Sequence, residues 1–238
     1  IDAYDPVTGE LVWRTYTIPG EGEFGVDTWL GDSWKTGGSA TWITGAYDPD
    51  LNLIYWGTGN PGPDWNGDVR LGDNLYSDSA LALNGDTGEI EWYFQFTPHD
   101  VHDWDAIQIP ILADLNINGQ NRRTMMWANR NAFFYTIDAA DGQFIQGAPF
   151  ATQTWAQGLD SVTGAPIRVP GLAPTYEGIM VSPPITGGTN WYSPAYNPDT
   201  GFYIDDKGEA YPSVTNVVGL KNKEEIRLWR ELVGEKEA

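Results

Sequence analysis

Cysteine is absent from this chain of 238 residues, which excludes disulfide bonds and thiolate chemistry and leaves the redox compartment open. Basic residues are scarce, since 13 Lys and Arg stand against 33 Asp and Glu for a formal net charge of -20. Nucleic acid attracts basic surfaces, so this balance argues against a nucleic-acid partner. No apolar run reaches the roughly 20 residues that span a bilayer, and no signal peptide is visible. The chain opens at Ile1 in the middle of a motif, which predicts an N-terminus that is cut rather than natural.

Aromatic residues and glycine are abundant, with 12 Trp, 12 Tyr and 28 Gly. Many belong to a repeated pattern in which an Asp or Asn begins a turn that ends in glycine, followed in two copies by Trp at the same offset. The pattern predicts strand, turn and strand, and its clearer copies recur at roughly 35–60 residues, as propeller blades do. The alternative is a set of unrelated hairpins. The copies are 3–13, 82–92, 136–142, 159–164 and 195–201, with a variant at 46–56.

The residues best suited to chemistry lie at 97–105, a stretch that contains both histidines of the chain and three aspartates. Neighbouring carboxylates raise one another's pKa, which favours a cation between them. An extended backbone sends alternate side chains to one face, so Asp103 and Asp105 are predicted to point the same way, as in a hard-metal site with a carboxylate base. The alternative is an ordinary solvated acidic turn.

Three further segments offer candidate ligand contacts. Asn60 stands in Gly-Thr-Gly-Asn-Pro, where glycine and proline can orient its amide for metal ligation, although the same residues suit a plain turn. Trp42 follows two glycines that allow close approach to a planar ligand, and its alternative role is that of a core aromatic. Arg130 follows a predicted strand and either donates to an anionic oxygen or forms a surface ion pair.

These motifs occur in order over roughly residues 1–201, and the chain resembles the quinoprotein (PQQ-dependent) alcohol dehydrogenase family, methanol and ethanol dehydrogenase type. The resemblance implies an all-β fold, a partial β-propeller with about half of an eight-bladed ring, in which the Trp of one blade packs against the next. The predicted domains are this propeller at 1–203 and a C-terminal extension at 204–238, with a turn and a short helix near 221–233. Because an incomplete ring leaves open sheet faces, another chain that completes or caps it is expected.

The resemblance also implies a metal site. Asn60 matches the ligating Asn of the family, and Asp103 matches the catalytic base beside the metal. Asp105 resembles the extra carboxylate of lanthanide-dependent members, and a trivalent hard cation gains more from an added anionic oxygen than a divalent one does. His99 and His102 are poor ligands for such a cation and are expected to form hydrogen bonds around the site. Because the unperturbed pKa of Asp is about 3.9, Asp103 is expected to be a weak base that depends on alignment.

The implied cofactors are pyrroloquinoline quinone (PQQ) and a Ca²⁺ or lanthanide ion. By resemblance, Trp42 lies flat beneath the quinone, Arg130 donates to the quinone oxygens, and Asn190 and Trp191 contact the cofactor as well. The metal-binding Glu of the family falls just upstream of the motif with which this chain begins, so Glu177 is not its counterpart.

The implied reaction is oxidation of a small primary alcohol to an aldehyde, with a cytochrome c as electron acceptor in the periplasm. Two alternatives stand beside it. One is a non-catalytic propeller scaffold, such as the outer-membrane assembly lipoproteins that share these repeats, and the acidic cluster of this chain disfavours it. The other is an inactive remnant of such an enzyme, which the missing metal-binding Glu favours.

Overall fold

The computed structural model describes residues 1–204 and 210–212, and the regular secondary structure of this part consists almost entirely of short strands joined by turns and irregular segments. The strands are β1 (Asp2–Tyr4), β2 (Leu11–Arg14), β3 (Ala46–Asp48), β4 (Leu53–Gly57), β5 (Ser79–Asn84), β6 (Ile90–Gln95), β7 (Ile111–Ile117), β8 (Gln120–Ala128), β9 (Phe133–Asp138), β10 (Phe144–Pro149), β11 (Ala156–Leu159), β12 (Pro166–Arg168), β13 (Ala195–Asn197), β14 (Phe202–Ile204) and β15 (Ala210–Pro212). Single 3₁₀ turns lie at Val26–Thr28, Ser33–Lys35 and Gly67–Val69. The helix predicted near 221–233 lies outside the described residues. Within them, no helix has both the length and the apolar character that crossing a membrane requires.

The sheets are antiparallel meanders. Strands β3 to β6 form one four-stranded sheet in sequential order, and β7 to β10 form a second. A hairpin of β1 and β2, a hairpin of β11 and β12, and a three-stranded sheet of β13 to β15 accompany them. Four-stranded sequential sheets are the blades of a β-propeller. The all-β partial propeller is therefore confirmed, and its sheets do not close into a ring within the described residues.

One type of turn closes the repeated hairpins. In each copy whose turn ends in glycine, the glycine N–H donates to the carbonyl four residues earlier, at 2.8–3.0 Å. The φ of these glycines is 72–75°. The side chain that starts the turn accepts N–H groups inside it, as Asp5 Oδ1 does from Val7 and Thr8. Glycine suits this position because left-handed φ values strain other residues. The five glycines are Gly9, Gly88, Gly142, Gly164 and Gly201.

A tryptophan links each of two repeats to the next. The indole ring of Trp13 lies over Gly88, and that of Trp92 lies over Gly142, so closely that a methyl group on either glycine would collide with ring carbons. Trp13 Nε1 donates to the Gly85 carbonyl and Trp92 Nε1 to the Ala139 carbonyl, both at 3.2 Å. The same contact thus occurs twice at equivalent places, and the predicted Trp packing between blades is confirmed.

Aromatic side chains fill the core between the two four-stranded blades. Phe96, Trp127 and Tyr135 are fully buried, and the ring of Phe96 lies 5.1 Å from Trp127 and 4.9 Å from Tyr135 between centroids. Rings of this size contribute much of the packing energy of a core. The loops that leave β4, β6 and β8 lie at one end of this core, and they carry the candidate site.

Candidate active site

Three loops converge at one end of the two central blades. The loop after β4 carries Asn60, the connection after β6 carries Asp103 and Asp105, and the turn between β8 and β9 carries Arg130. Strands β4 and β6 run in the same direction because both pair antiparallel with β5, so their carboxyl ends share an edge. Asn131 ties the third loop to this edge by donating from Nδ2 to the Phe96 carbonyl at 3.1 Å.

The backbone of Asn60 is held on both sides. Its N–H donates to Asp105 Oδ1 at 2.8 Å, and its carbonyl accepts from the Ser39 N–H at 2.8 Å. The neighbouring Gly59 lacks a Cβ at a point where one would run into Asp105 Oδ1, so glycine allows the carboxylate to approach the backbone. The structure thus brings together two of the predicted metal ligands, Asn60 and Asp105.

Asp105 also forms a buried ion pair with Arg130. Arg130 Nη1 lies 2.6 Å from Asp105 Oδ2, and the two side chains are 7% and 11% exposed. Arg130 Nη2 donates to the Ile185 carbonyl, whereas the buried Nε has no hydrogen-bond partner among the described residues. The alternative of a surface ion pair for Arg130 is therefore wrong, because the pair lies inside the site.

Asp103 is the titratable group with the clearest functional signature. Burial, followed by the negative charge of Asp105, raises its pKa to about 6, and the positive charge of Arg130 opposes the rise. Asp64 and Asp100 contribute further repulsion. A carboxyl whose pKa approaches neutrality is a better proton acceptor than an ordinary Asp. The unperturbed pKa of about 3.9, from which a weak base was expected, therefore does not apply to Asp103 in the folded chain, and desolvation is the main reason.

The backbone around Asp103 is a turn and not an extended strand. Asp103 has a left-handed φ of 62°, and no strand lies between β6 and β7. The Asp100 carboxylate accepts the N–H groups of His102 at 2.9 Å and Trp104 at 2.8 Å, which folds the segment. The predicted route by which Asp103 and Asp105 share a face, alternation along a strand, is thus wrong. The two carboxylates are nevertheless neighbours, because the negative charge of Asp105 is the second cause of the raised pKa of Asp103.

Trp42 follows a segment that runs beside the site. The Gly59 N–H donates to the Ala40 carbonyl at 2.9 Å, and Gly38 bridges to Pro61, so residues 38–40 lie along the Asn60 loop. Trp42 is 47% exposed, so it is not a core aromatic. Its role beneath a planar cofactor stays a prediction.

Asn190 and Trp191 belong to a loop that packs on Arg130. The Gly188 N–H donates to the Arg130 carbonyl at 2.9 Å. Asn190 Nδ2 donates to the Thr186 carbonyl at 2.8 Å, and Trp191 stacks on Tyr192 with 4.0 Å between ring centroids. Trp191 remains 45% exposed. The loop is therefore next to the site, and the cofactor contacts of both residues stay predictions.

The two histidines stabilise the loops around the site. His99 Nδ1 lies 2.9 Å from the Gly72 carbonyl, and the ring of His102 lies against Trp104 with 4.4 Å between centroids. Burial lowers the pKa of both, that of His102 to about 4, so the rings are neutral at pH 7. Within the described residues, neither ring hydrogen-bonds to Asp103 or Asp105.

Three residues of the site region were not found from the sequence. Asp64 accepts from Asn60 Nδ2 at 2.7 Å. Arg70 is fully buried, and Asp78 is buried with no hydrogen bond from the described residues to either carboxylate oxygen. No motif or spacing marks these residues, because each becomes significant only through the groups around it.

Comparison with known proteins assigns the chain to a family. The family described as "Glucose/ethanol/alcohol dehydrogenase, beta-propeller domain" (PQQ) matches residues 1–158. The chain belongs to this family. The resemblance to quinoprotein dehydrogenases found in the sequence is thereby confirmed.

Relatives in this PQQ propeller family are enzymes of greater length. Quinoprotein alcohol dehydrogenase PedH of Pseudomonas putida is 44% identical over 230 residues, covering 86% of this chain and 38% of the relative. The lanthanide-dependent methanol dehydrogenase of Methylacidiphilum fumariolicum is 34% identical over 227 residues, covering 86% of this chain and 37% of the relative. The solved structure of a europium-containing methanol dehydrogenase matches with a TM-score of 0.79 at 33% identity, covering 85% of this chain and 38% of that one. The chain thus spans less than two fifths of the length of these proteins.

Proposed function

We propose that this chain forms part of a PQQ- and metal-dependent alcohol dehydrogenase that oxidises a small primary alcohol to an aldehyde and passes the electrons to a cytochrome c in the periplasm. One observation carries the proposal: Asn60, Asp105 and Arg130 form one hydrogen-bonded unit beside Asp103, whose pKa is about 6. Membership of the PQQ family supports the cofactor. The open edges of the blade set are proposed to pack against a further chain.

The oxygen atoms at this site fit a hard cation. Asn60 Oδ1 receives no hydrogen bond from the described residues, and each oxygen of Asp105 retains a lone pair beyond its present bond. Asp103 adds a carboxylate whose repulsion by Asp105 a cation would relieve. Within the described residues, no group of three or more His, Cys, Asp or Glu side chains is placed to hold a metal ion. Because Ca²⁺ takes about 6–8 oxygen ligands, further ligands must complete its coordination.

The surroundings also fit a planar anionic cofactor. Arg130 Nε is buried and has no acceptor in the part of the chain that the structure describes, so an oxygen-rich ligand would satisfy it. Trp42 and Trp191 are 47% and 45% exposed, on segments that flank the site. Aromatic faces of this kind suit stacking on a conjugated ring.

In the proposed reaction, bound PQQ supplies the hydride acceptor and the bound cation supplies Lewis-acid polarisation. Asp103 takes the hydroxyl proton of the alcohol as general base. Arg130 neutralises Asp105 and stabilises developing negative charge. Because a nearby cation lowers the pKa of Asp103, the alignment of its carboxylate with the hydroxyl remains its larger contribution.

A fluorescence titration tests this function. Addition of PQQ together with Ca²⁺ or La³⁺ to the 238-residue chain is expected to change Trp fluorescence saturably, because Trp42 and Trp191 lie beside the site. Asn60→Ala is expected to weaken the change, and Asp50→Asn, on an exposed turn remote from the site, is the matched control. No saturable change in a sample that is folded by circular dichroism would contradict the proposal and favour an inactive remnant or a scaffold.

A further inference from the structure

The side chain of Asn60 is anchored through its nitrogen. Asn60 Nδ2 lies 2.7 Å from Asp64 Oδ1 and 3.4 Å from the Pro61 carbonyl. Asn60 Oδ1 receives no hydrogen bond within the described residues. One end of the amide is therefore held by the protein, while the other end is available to a ligand.

The chemistry of Asp64 determines which end is held. Asp64 Oδ1 accepts the hydrogen bond, and the amide supplies its donors only from the NH₂ group, so the NH₂ group is the end that faces Asp64. A hydrogen bond from the amide N–H to an anion also draws electron density towards the amide oxygen, which makes Oδ1 a stronger ligand for a hard cation.

The backbone of Asp64 is itself fixed. Arg70 Nη2 donates to the Asp64 carbonyl at 3.0 Å and to the Asp100 carbonyl at 2.5 Å. Arg70 is fully buried, and its Nη1 donates to Asn74 Oδ1 at 2.9 Å. Arg70 thus connects the Asp64 loop to the segment that carries the acidic cluster, which gives the Asp64 carboxylate a defined position relative to Asn60.

We propose that Asp64 is a positioning residue of the metal site, which holds the Asn60 amide by its nitrogen and thereby directs Oδ1 to the cation. The role rests on the proposed function, because it requires a cation at Asn60. Asp64 acts through Asn60 and is not itself a ligand. Its contribution therefore depends on the presence of the Asn60 side chain.

A double-mutant cycle with Tb³⁺ tests this dependence. Tb³⁺ is titrated into the 238-residue chain in the presence of PQQ, and binding is measured by Tb³⁺ luminescence excited through tryptophan, which requires no turnover. Asp64→Asn removes the charge and the obligatory acceptor at nearly constant shape, and it is expected to raise the Kd by about 10-fold or more, as loss of an outer-shell partner does. The control Asp68→Asn removes the same charge from an exposed side chain of the same loop. Its expected effect is about 2-fold or less, because solvent screens it.

The Asn60→Ala background decides between positioning and direct action. If Asp64 acts through Asn60, Asp64→Asn in this background raises the Kd no more than Asp68→Asn does. Equal effects of Asp64→Asn with and without the Asn60 side chain would overturn the positioning role while leaving the metal site intact. Absence of saturable Tb³⁺ binding by the folded wild-type chain would overturn the proposed function and this role together.

Discussion

Arg130 Nη1 and Asp105 Oδ2 lie 2.6 Å apart in an ion pair that is almost fully buried. The pair connects the turn after β8 to the segment after β6, and the Asp105 end of it also accepts the Asn60 N–H. Removing one member of a buried pair leaves the other charge without compensation. This pair is therefore expected to contribute to the stability of the fold as well as to the arrangement of the site.

Arg130→Met is expected to destabilise the chain by about 3–5 kcal/mol, because it leaves Asp105 buried and unpaired while keeping most of the aliphatic stem. The measurement is urea unfolding of the 238-residue chain. Arg122→Met is the control, since Arg122 pairs with Asp138 at 2.8 Å in a more exposed setting and is expected to cost about 1 kcal/mol or less. Equal losses of unfolding free energy for the two variants would show that the buried pair contributes no more to stability than the more exposed pair.

The Trp contact between blades is testable with two glycines of matched backbone. Gly142 has φ 75° beneath Trp92, and Gly9 has φ 72° with no atom near its missing Cβ. Gly9→Ala is expected to cost only the left-handed strain of about 1–2 kcal/mol. Gly142→Ala is expected to cost about 1–3 kcal/mol more, because the methyl group must displace the indole. Thermal unfolding of both variants gives the difference, and similar losses would argue against tight docking.

Asp103→Asn is expected to stabilise the metal-free chain above pH 6. The pKa of Asp103 is about 6 in the folded protein, against 3.8 for an unperturbed Asp, so the folded protein binds the proton more tightly between these values. Stability therefore falls as pH rises through this window, and it stays lower above it. Because the carboxylate keeps part of its hydration, the gain from Asn is about 1 kcal/mol.

The Asp103 measurement compares urea unfolding of wild type and variant at pH 4 and pH 7.5. The free energies of unfolding of the two proteins are expected to differ only at the higher pH. A saturating lanthanide is expected to make wild type the more stable of the two, since wild type then has a carboxylate that can bind the cation. An equal difference at both pH values would contradict the raised pKa.

Asp78→Asn is expected to stabilise the fold increasingly as pH rises above 3.8, the unperturbed pKa of Asp. Burial without a hydrogen-bond partner raises the pKa of Asp78 well above 3.8, so ionisation opposes folding and the cost grows with pH. Asn is neutral, similar in shape and tolerant of the φ of 49° at this position. Chemical denaturation across this range measures the effect. A loss of stability that grows with pH would show that Asp78 is ionised and paired in the folded chain.

Local chemistry explains why the blades were predictable. Each repeat turn is held by bonds that start and end within five residues, such as those from Val7 and Thr8 to Asp5, and its glycine takes a positive φ. Strand, turn and the docking Trp therefore leave a readable pattern in the sequence. Asn60, Asp105 and Arg130 were identified by resemblance, and the structure joins them in one unit.

Predictions from residue spacing were wrong or incomplete where side-chain carboxylates and long-range contacts determine the backbone conformation. Alternation along a strand was the wrong explanation for Asp103 and Asp105, because Asp100 captures two N–H groups and turns the chain. Asp64 was not identified, because its hydrogen bond with Asn60 exists only in the folded structure. Burial, and not residue type, sets the pKa of Asp103 and Asp78.

The sequence by itself determined the acidic balance, the turn-forming repeats and the strands between them, because each depends on composition or on neighbours a few residues apart. Tertiary structure alone decided the Asp105–Arg130 pair across 25 residues, the raised pKa of Asp103 and the direction of the Asn60 amide. The physical reason is that desolvation and charge pairing arise only when distant loops meet at the end of a packed core.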